Sequence, residues 1–233
     1  MSAQEPSVVE LQARWDKIRV ANLYDTLDKM GYYDQCIDLG IRPLFPHRHL
    51  AGQVITVRGS ATPVPRSEET GDWTGDYFEK LRSMLYPGCV IVVESGGEKH
   101  AGKFGEMTSW ALKQGGARGI VIDSYIRDYL GLEEIPDFCP CVRGTSPIES
   151  SNRWRINALN VSIGMPGTLS SRVRVDPGDW IIGEADGVIV IPKAIAMEAL
   201  TRAEVLEHEE QGMRDDMKKG LTFDEAYKKW GRA

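Results

Sequence analysis

A chain of 233 residues, 42% hydrophobic and 27% charged, can build one sizeable core and carries the charge of an ordinary globular protein. Its net charge of −6 comes without a long basic run, which argues against a nucleic-acid partner because phosphate binding needs clustered Lys and Arg. No apolar run reaches the roughly 18 residues that span a bilayer, the N-terminus lacks a signal-peptide layout, and Cys36, Cys89, Cys139 and Cys141 form no C-x-x-C pair. These features predict a reduced, cytoplasmic protein with no membrane span, disulfide framework or structural zinc site.

In chain order, Val8, Val9, Leu11, Trp15 and Ile18 suit one amphipathic helix, and Leu23, Leu27 and Met30 suit a second, with Asn22 as its expected N-cap and Gly31 as its stop. A strand is expected over residues 53–62, where apolar and polar positions alternate, and a helix over residues 76–86 through Phe78, Leu81 and Leu85. Pro87-Gly88 and Pro177-Gly178 each preset a tight turn, and each leads into a short apolar run of buried-strand length. Between them lie an expected helix over residues 106–114, a strand over 120–122 and another near Cys141 and Val142. A strand over 188–191 stops at Pro192, and residues 194–219 have helical spacing with many charges, which predicts an exposed or partner-contacting helix. One α/β domain over residues 1–233 is expected, with helical extensions at both ends and residues 194–233 as a C-terminal arm.

The stretch from Gly102 to Gly131 carries the most chemistry. A glycine-rich loop containing Gly96, Gly97, Gly102 and Gly105 runs into a helix starting near Glu106. A helix N-terminus offers unpaired N–H groups and partial positive charge, a natural seat for a carboxylate or phosphate. The same pattern also fits a plain strand-to-helix loop in which Glu106 complements the helix dipole. The strand at Ile120–Ile122 ends at Asp123, and Arg127-Asp128 follow, where ligands gather beyond the carboxyl ends of strands in open α/β sheets. Arg127 can grip a carboxylate at two points and Asp128 offers hard oxygen donors to Mg²⁺ or Mn²⁺. An Arg–Asp ion pair, or Asp128 capping the next helix, remains an alternative reading of the dipeptide.

Glu106, twenty intervening residues, then Arg127-Asp128 resembles the acid-x20-Arg-Asp pattern of the class II pyruvate aldolases. These are the 4-hydroxy-4-methyl-2-oxoglutarate / 4-carboxy-4-hydroxy-2-oxoadipate aldolases, together with the related regulator of ribonuclease E activity A. The resemblance extends to residues 22–31, 51–61 and 86–93, to CVRGTSP at 141–147, and to DPGDWIIGEADGVIVIP at 176–192. It implies a compact β/β/α layered domain, assembled as a homotrimer or homohexamer with sites between subunits. It implies that the backbone of Gly105, Glu106, Met107 and Thr108 binds a pyruvate moiety with Arg127. Asp128 would hold Mg²⁺ or Mn²⁺ and Glu106 would position a water on that ion. A carboxylate from a neighbour's C-terminal helix, Glu207 or Glu210 here, is implied to complete the site.

The implied activity is metal-dependent retro-aldol cleavage of a 4-hydroxy-2-oxo acid to pyruvate and a carbonyl product, with oxaloacetate decarboxylation as companion. The alternative is a non-catalytic, protein-binding regulator of a ribonuclease. This chain departs from the family in having Ser124, where glycine is usual after the strand-end Asp123, and in its own loops at residues 62–74 and 138–141. A Schiff-base mechanism on Lys99 or Lys103 is not favoured, since a wet glycine-rich loop would leave a lysine's pKa undisturbed. His47, His49, His100 and His208 show no metal-ligand spacing, Cys139 and Cys141 read as packed strand residues, Asp186-Gly187 reads as a turn, and no G-x-S-x-G motif exists.

Overall fold

The strands that begin after the Pro-Gly turns carry no polar side chain before their final glutamates, Glu94 and Glu184, because both of their faces are covered. The computed structural model describes residues 6–62 and 77–231. The elements run α1 (Val8–Trp15), α2 (Val20–Lys29), β1 (Arg42–Pro43), β2 (Leu50–Ala61), α3 (Tyr77–Ser83), β3 (Cys89–Glu94), α4 (Glu106–Gln114), β4 (Gly119–Ile122), β5 (Tyr125–Ile126) and α5 (Tyr129–Glu133). They continue with β6 (Cys139–Val142), β7 (Gly144–Thr145), β8 (Trp154–Leu159), β9 (Ile163–Pro166), β10 (Arg172–Val175), β11 (Trp180–Glu184), β12 (Gly187–Ile191), α6 (Ala196–Lys218) and α7 (Phe223–Trp230).

The main sheet has eight strands in the order β1-β6-β4-β3-β2-β11-β12, with β8 also paired to β2. Its centre, β6-β4-β3-β2, is parallel, and β1, β8, β11 and β12 add antiparallel edges. Alternate residues sort onto two faces. Ile55, Val57, Ile91, Val93, Ile120 and Ile122 face a core shared with Leu81 of α3, Leu112 of α4 and Leu132 of α5. Val54, Val90, Val92, Val121, Cys139 and Cys141 face Ile163, Met165, Val173 and Val175 of the β9–β10 hairpin. Hairpin, sheet and helices therefore make the expected β/β/α layering, and burial on both faces explains the unbroken apolar runs.

The cysteines at 139 and 141 are buried side by side on β6, Sγ to Sγ 4.0 Å, so the packed reading holds. A turn at Ala185 and Asp186 joins β11 to β12 as expected. No helix among the described residues is long and apolar enough to cross a membrane.

Two expectations need correction. The second helix begins at Val20 with Arg19 as its N-cap residue, and Asn22 lies buried inside it, its Nδ2 donating to Glu207 at 2.7 Å. Carboxylates from elsewhere cap this helix instead: the Val20 N–H donates to Glu184 at 2.8 Å and the Arg19 N–H to Glu207 at 3.3 Å. The long charged helix α6 is not wholly exposed. Ala196, Ala199, Leu200 and Ala203 recur at helical spacing and join Trp15, Leu23, Leu27, Trp180 and Ile191 in a third core; small side chains hid this face from an apolar count. Strands β8, β9 and β10 went unread because their polar positions break any apolar run. The loop peculiar to residues 62–74 lies outside the described residues from 63 onward, as does position 76.

Candidate functional site

The parallel strands β3 and β4 end side by side, and both candidate segments leave from those ends. After β3 the chain crosses residues 95–105 and enters α4 at Glu106; after β4 it passes Asp123, β5 and Arg127-Asp128. Main-chain bonds stitch the two segments together. The Lys103 N–H donates to the Tyr125 carbonyl at 3.0 Å and the Arg127 N–H to the Phe104 carbonyl at 2.9 Å. Asp123 Oδ1 accepts the Ser95 N–H at 2.8 Å, and burial raises its pKa despite that bond.

This stitching brings Gly105, Glu106, Arg127 and Asp128 together. Asp128 stands at φ 66°, in the left-handed region, as the N-cap residue of α5. Short polar side chains visit that region more readily than others. Its Oδ2 accepts the Glu106 N–H at 3.1 Å, and its Oδ1 lies 3.4 Å from Arg127 Nε. The ion-pair reading and the site reading of Arg127-Asp128 thus describe one arrangement, with the Arg127 side chain 34% and the Asp128 side chain 40% exposed.

Two glycines make the approach possible. A Cβ at Gly105 would overlap Asp128 Oδ2 and stand 3.0 Å from Arg127 Cγ. A Cβ at Gly131 would overlap the Glu106 carboxyl group. Gly131 was not singled out from the sequence, where its place four residues beyond Arg127 gives no hint that another helix's acid lies on it.

Of the four residues implied to hold a substrate through their backbone, two have amides already engaged. Gly105 N–H donates to Thr108 Oγ1 at 2.9 Å, closing the start of α4, and Glu106 N–H belongs to Asp128. The Met107 and Thr108 N–H groups, in the first turn, have no acceptor within the helix. The Met107 side chain is 68% exposed, and Leu130 beyond Asp128 is 75% exposed.

Two further placements bear on the expectations. Glu207 is engaged by Asn22, the Arg19 N–H and Arg214, and Glu210 by the same Arg214 at 3.1 Å, so both carboxylates are held within their own chain. Lys103 does not sit in a wet loop. Its side chain is fully buried, and burial lowers its pKa against the opposing pull of Glu98, whereas Lys99 is exposed. The loop's glycines point to solvent, but the apolar Ala101 and Phe104 on either side of this lysine are both buried and carry it inward.

Among the described residues, no three His, Cys, Asp or Glu side chains stand together as a metal cage. The donor set does fit a hard ion held loosely. Magnesium typically takes one or two protein carboxylates and fills its other positions with water and substrate oxygens, and the Asp128 carboxylate, bonded to the Glu106 main chain and 40% exposed, could serve as one of them.

Comparison with known proteins identifies the family. A protein of Halalkalibacterium halodurans provisionally named 4-hydroxy-4-methyl-2-oxoglutarate aldolase is 36% identical over 134 residues, 56% of this chain and 60% of that relative. The chain thus spans less than two thirds of that relative's length. A protein of the same provisional name from Paraburkholderia phytofirmans is 27% identical across 74% of this chain and 98% of its own. Among solved structures, an uncharacterised protein of Pseudomonas syringae pv. tomato superimposes with a TM-score of 0.78 at 22% identity, covering 96% of this chain and 99% of its own. Streptomyces coelicolor RraAS2, described as an unusual member of the RNase ES inhibitor RraA protein family, gives 0.71 at 23% identity over 90% and 98%. Both structural likenesses are of fold. The RraA-like family model, described as Aldolase/RraA, matches residues 20–190, the span that holds all but the last residue of the sheet together with Gly105, Glu106, Arg127 and Asp128, and the chain belongs to that family.

Proposed function

We propose that the chain is a lyase that cleaves a small 4-hydroxy-2-oxo acid to pyruvate and a carbonyl product, with decarboxylation of oxaloacetate as a companion activity. The observation that carries this reading is the bonded unit of Glu106, Arg127 and Asp128, in which a fork-shaped cation and two carboxylates adjoin the open N-terminus of α4. Relatives provisionally named as aldolases support the reaction class.

The 2-oxo acid's carboxylate would meet the Arg127 guanidinium and the Met107 and Thr108 N–H groups, which match its charge and two-oxygen geometry. In the retro-aldol step the C4 hydroxyl gives up its proton, the C3–C4 bond breaks and its electron pair passes into a pyruvate enolate. A proton returned to C3 then yields pyruvate, so atoms and charge balance. Glu106, its carboxylate resting over Gly131, would hold the travelling proton. Arg127 would steady the enolate charge. Asp128 would hold Mg²⁺ or Mn²⁺, which supplies Lewis-acid stabilisation of that same charge.

The second reading, a non-catalytic partner of a ribonuclease, rests on likeness of fold to the Streptomyces protein. A pure binder has no use for an arginine and an aspartate paired beside the main chain of a second acid, so that arrangement favours the enzyme. We infer that the working site lies at a contact between copies of a trimer or hexamer, where exposed Met107, next to Glu106, and exposed Leu130, two residues beyond Asp128, would be covered. Screening 4-hydroxy-2-oxo acids for pyruvate release, with Mg²⁺ and with chelator, tests the proposal. Metal-dependent release from at least one of them is expected; no release from any, with Mg²⁺ or Mn²⁺ present, would refute it.

A further inference from the structure

The loop that leads into α4 is held from inside by a buried charge. Lys103 Nζ pairs with the Glu98 carboxylate, lies 2.9 Å from the Ala101 carbonyl and donates to Ser124 Oγ at 3.1 Å. Ser124 Oγ in turn donates to the Glu98 carbonyl at 2.9 Å, and the Glu98 carboxylate accepts the His100 and Ala101 N–H groups at 2.9 and 3.1 Å. The ring of Trp154 closes the cluster 5.9 Å from the ammonium. An ammonium is costly to bury unless its N–H groups are all met, and here a carboxylate, a carbonyl and a hydroxyl meet them. An apolar side chain would fill the same volume without that cost, so packing alone does not account for a lysine.

What the cluster joins gives it a role. Lys103 lies between Gly102 and Phe104, two residues before Gly105 and three before Glu106. Ser124 opens the segment that ends in Arg127-Asp128. The main-chain bonds from Lys103 to Tyr125 and from Arg127 to Phe104 run along the same seam. We infer that Lys103, clamped between Glu98 and Ser124, is a positioning residue that sets the separation between the Glu106 half and the Arg127-Asp128 half of the site. Ser124, which departs from the family's usual glycine, supplies the hydroxyl that reaches across. This inference rests on the proposed function only in taking those two halves as one site.

The test compares Lys103→Met combined with Glu98→Gln, which leaves no charge buried alone, with the milder Ser124→Ala. Amide hydrogen exchange over residues 98–106 and 123–128 is read alongside melting temperature, kcat and KM for pyruvate release. The double variant is expected to exchange about tenfold faster in those two segments alone, with kcat down by at least about tenfold and KM within about twofold, since small misplacement of reacting groups falls on turnover. Ser124→Ala is expected to shift the same readouts in the same direction, by less. Wild-type exchange and kcat in a folded variant of either kind would overturn the clamp. So would faster exchange spread evenly over the whole chain with a matching fall in melting temperature, which is the mark of a general packing residue. Failure of the wild-type protein to release pyruvate would count against the proposed function instead, and the exchange measurement would still decide the clamp.

Discussion

The Glu106 backbone N–H donates to Asp128 Oδ2 at 3.1 Å, so the first residue of α4 and the residue that opens α5 are bonded to each other. Asp128 itself stands in the left-handed region at φ 66°. Asparagine tolerates that conformation as aspartate does, so Asp128→Asn keeps the fold while removing the charge that would hold a divalent ion. The expected outcome is a rise of at least about tenfold in the Mg²⁺ concentration needed for half-maximal pyruvate release, the lower end of what losing even an outer partner of a metal costs. High Mg²⁺ should recover part of the activity. Equal loss at every metal concentration would remove Asp128 as a metal ligand.

Gly131 offers a separate test of Glu106. An added methyl group would collide with the outer half of the flexible Glu106 side chain, its carboxyl and Cγ, which supplies all three of its nearest contacts. Alanine also gains roughly 1 kcal/mol over glycine inside a helix. Gly131→Ala should therefore leave the melting temperature unchanged or slightly raised while pyruvate release falls by about tenfold or more. Full activity in this variant would mean that Glu106 need not lie where it does.

Stability should depend on pH through Glu98. Burial pushes this carboxyl up, but Lys103 and the His100 and Ala101 N–H groups outweigh it and hold the pKa below its ordinary value of 4.5. A lowered folded-state pKa means that the unfolded chain takes up the proton first. The stabilisation is fully present above pH 4.5 and is lost as pH falls through the lower, folded-state value. Wild type should melt at a higher temperature than Glu98→Gln at neutral pH, and the two curves should converge in acid below pH 4.5. Parallel curves across that range would contradict the pairing.

The proposed assembly makes its own prediction. Light scattering should report a trimer or hexamer, and replacing Leu130, which is 75% exposed, with aspartate should weaken that assembly together with activity. A fully active monomer would sink the shared site, along with any role in it for Glu207 or Glu210.

Much of this was legible in the sequence where a local rule had no competitor. The Pro-Gly turns, the apolar central strands and the Glu106, Arg127 and Asp128 spacing all declare themselves within a few residues. Long-range partners decided the rest. Asn22 looked like a helix cap but is buried inside α2 against Glu207, and α6 looked exposed because alanines do its packing. Lys103 looked wet because no pattern within the loop shows that Glu98 and Ser124 close around it. Gly131 shows its use only once the Glu106 side chain is seen to lie on it.

The most direct test of the proposed activity is pyruvate release by Arg127→Lys beside wild type, across a Mg²⁺ titration, on whichever 4-hydroxy-2-oxo acid wild type cleaves best. Lysine keeps the charge but loses the planar two-point fork. If Arg127 grips the carboxylate and steadies the enolate, the loss should be on the order of 3 kcal/mol, about a hundredfold in rate, at every Mg²⁺ concentration and with the melting temperature little changed. A folded Arg127→Lys protein that releases pyruvate at close to the wild-type rate would contradict the catalytic assignment and leave the protein-binding reading ahead.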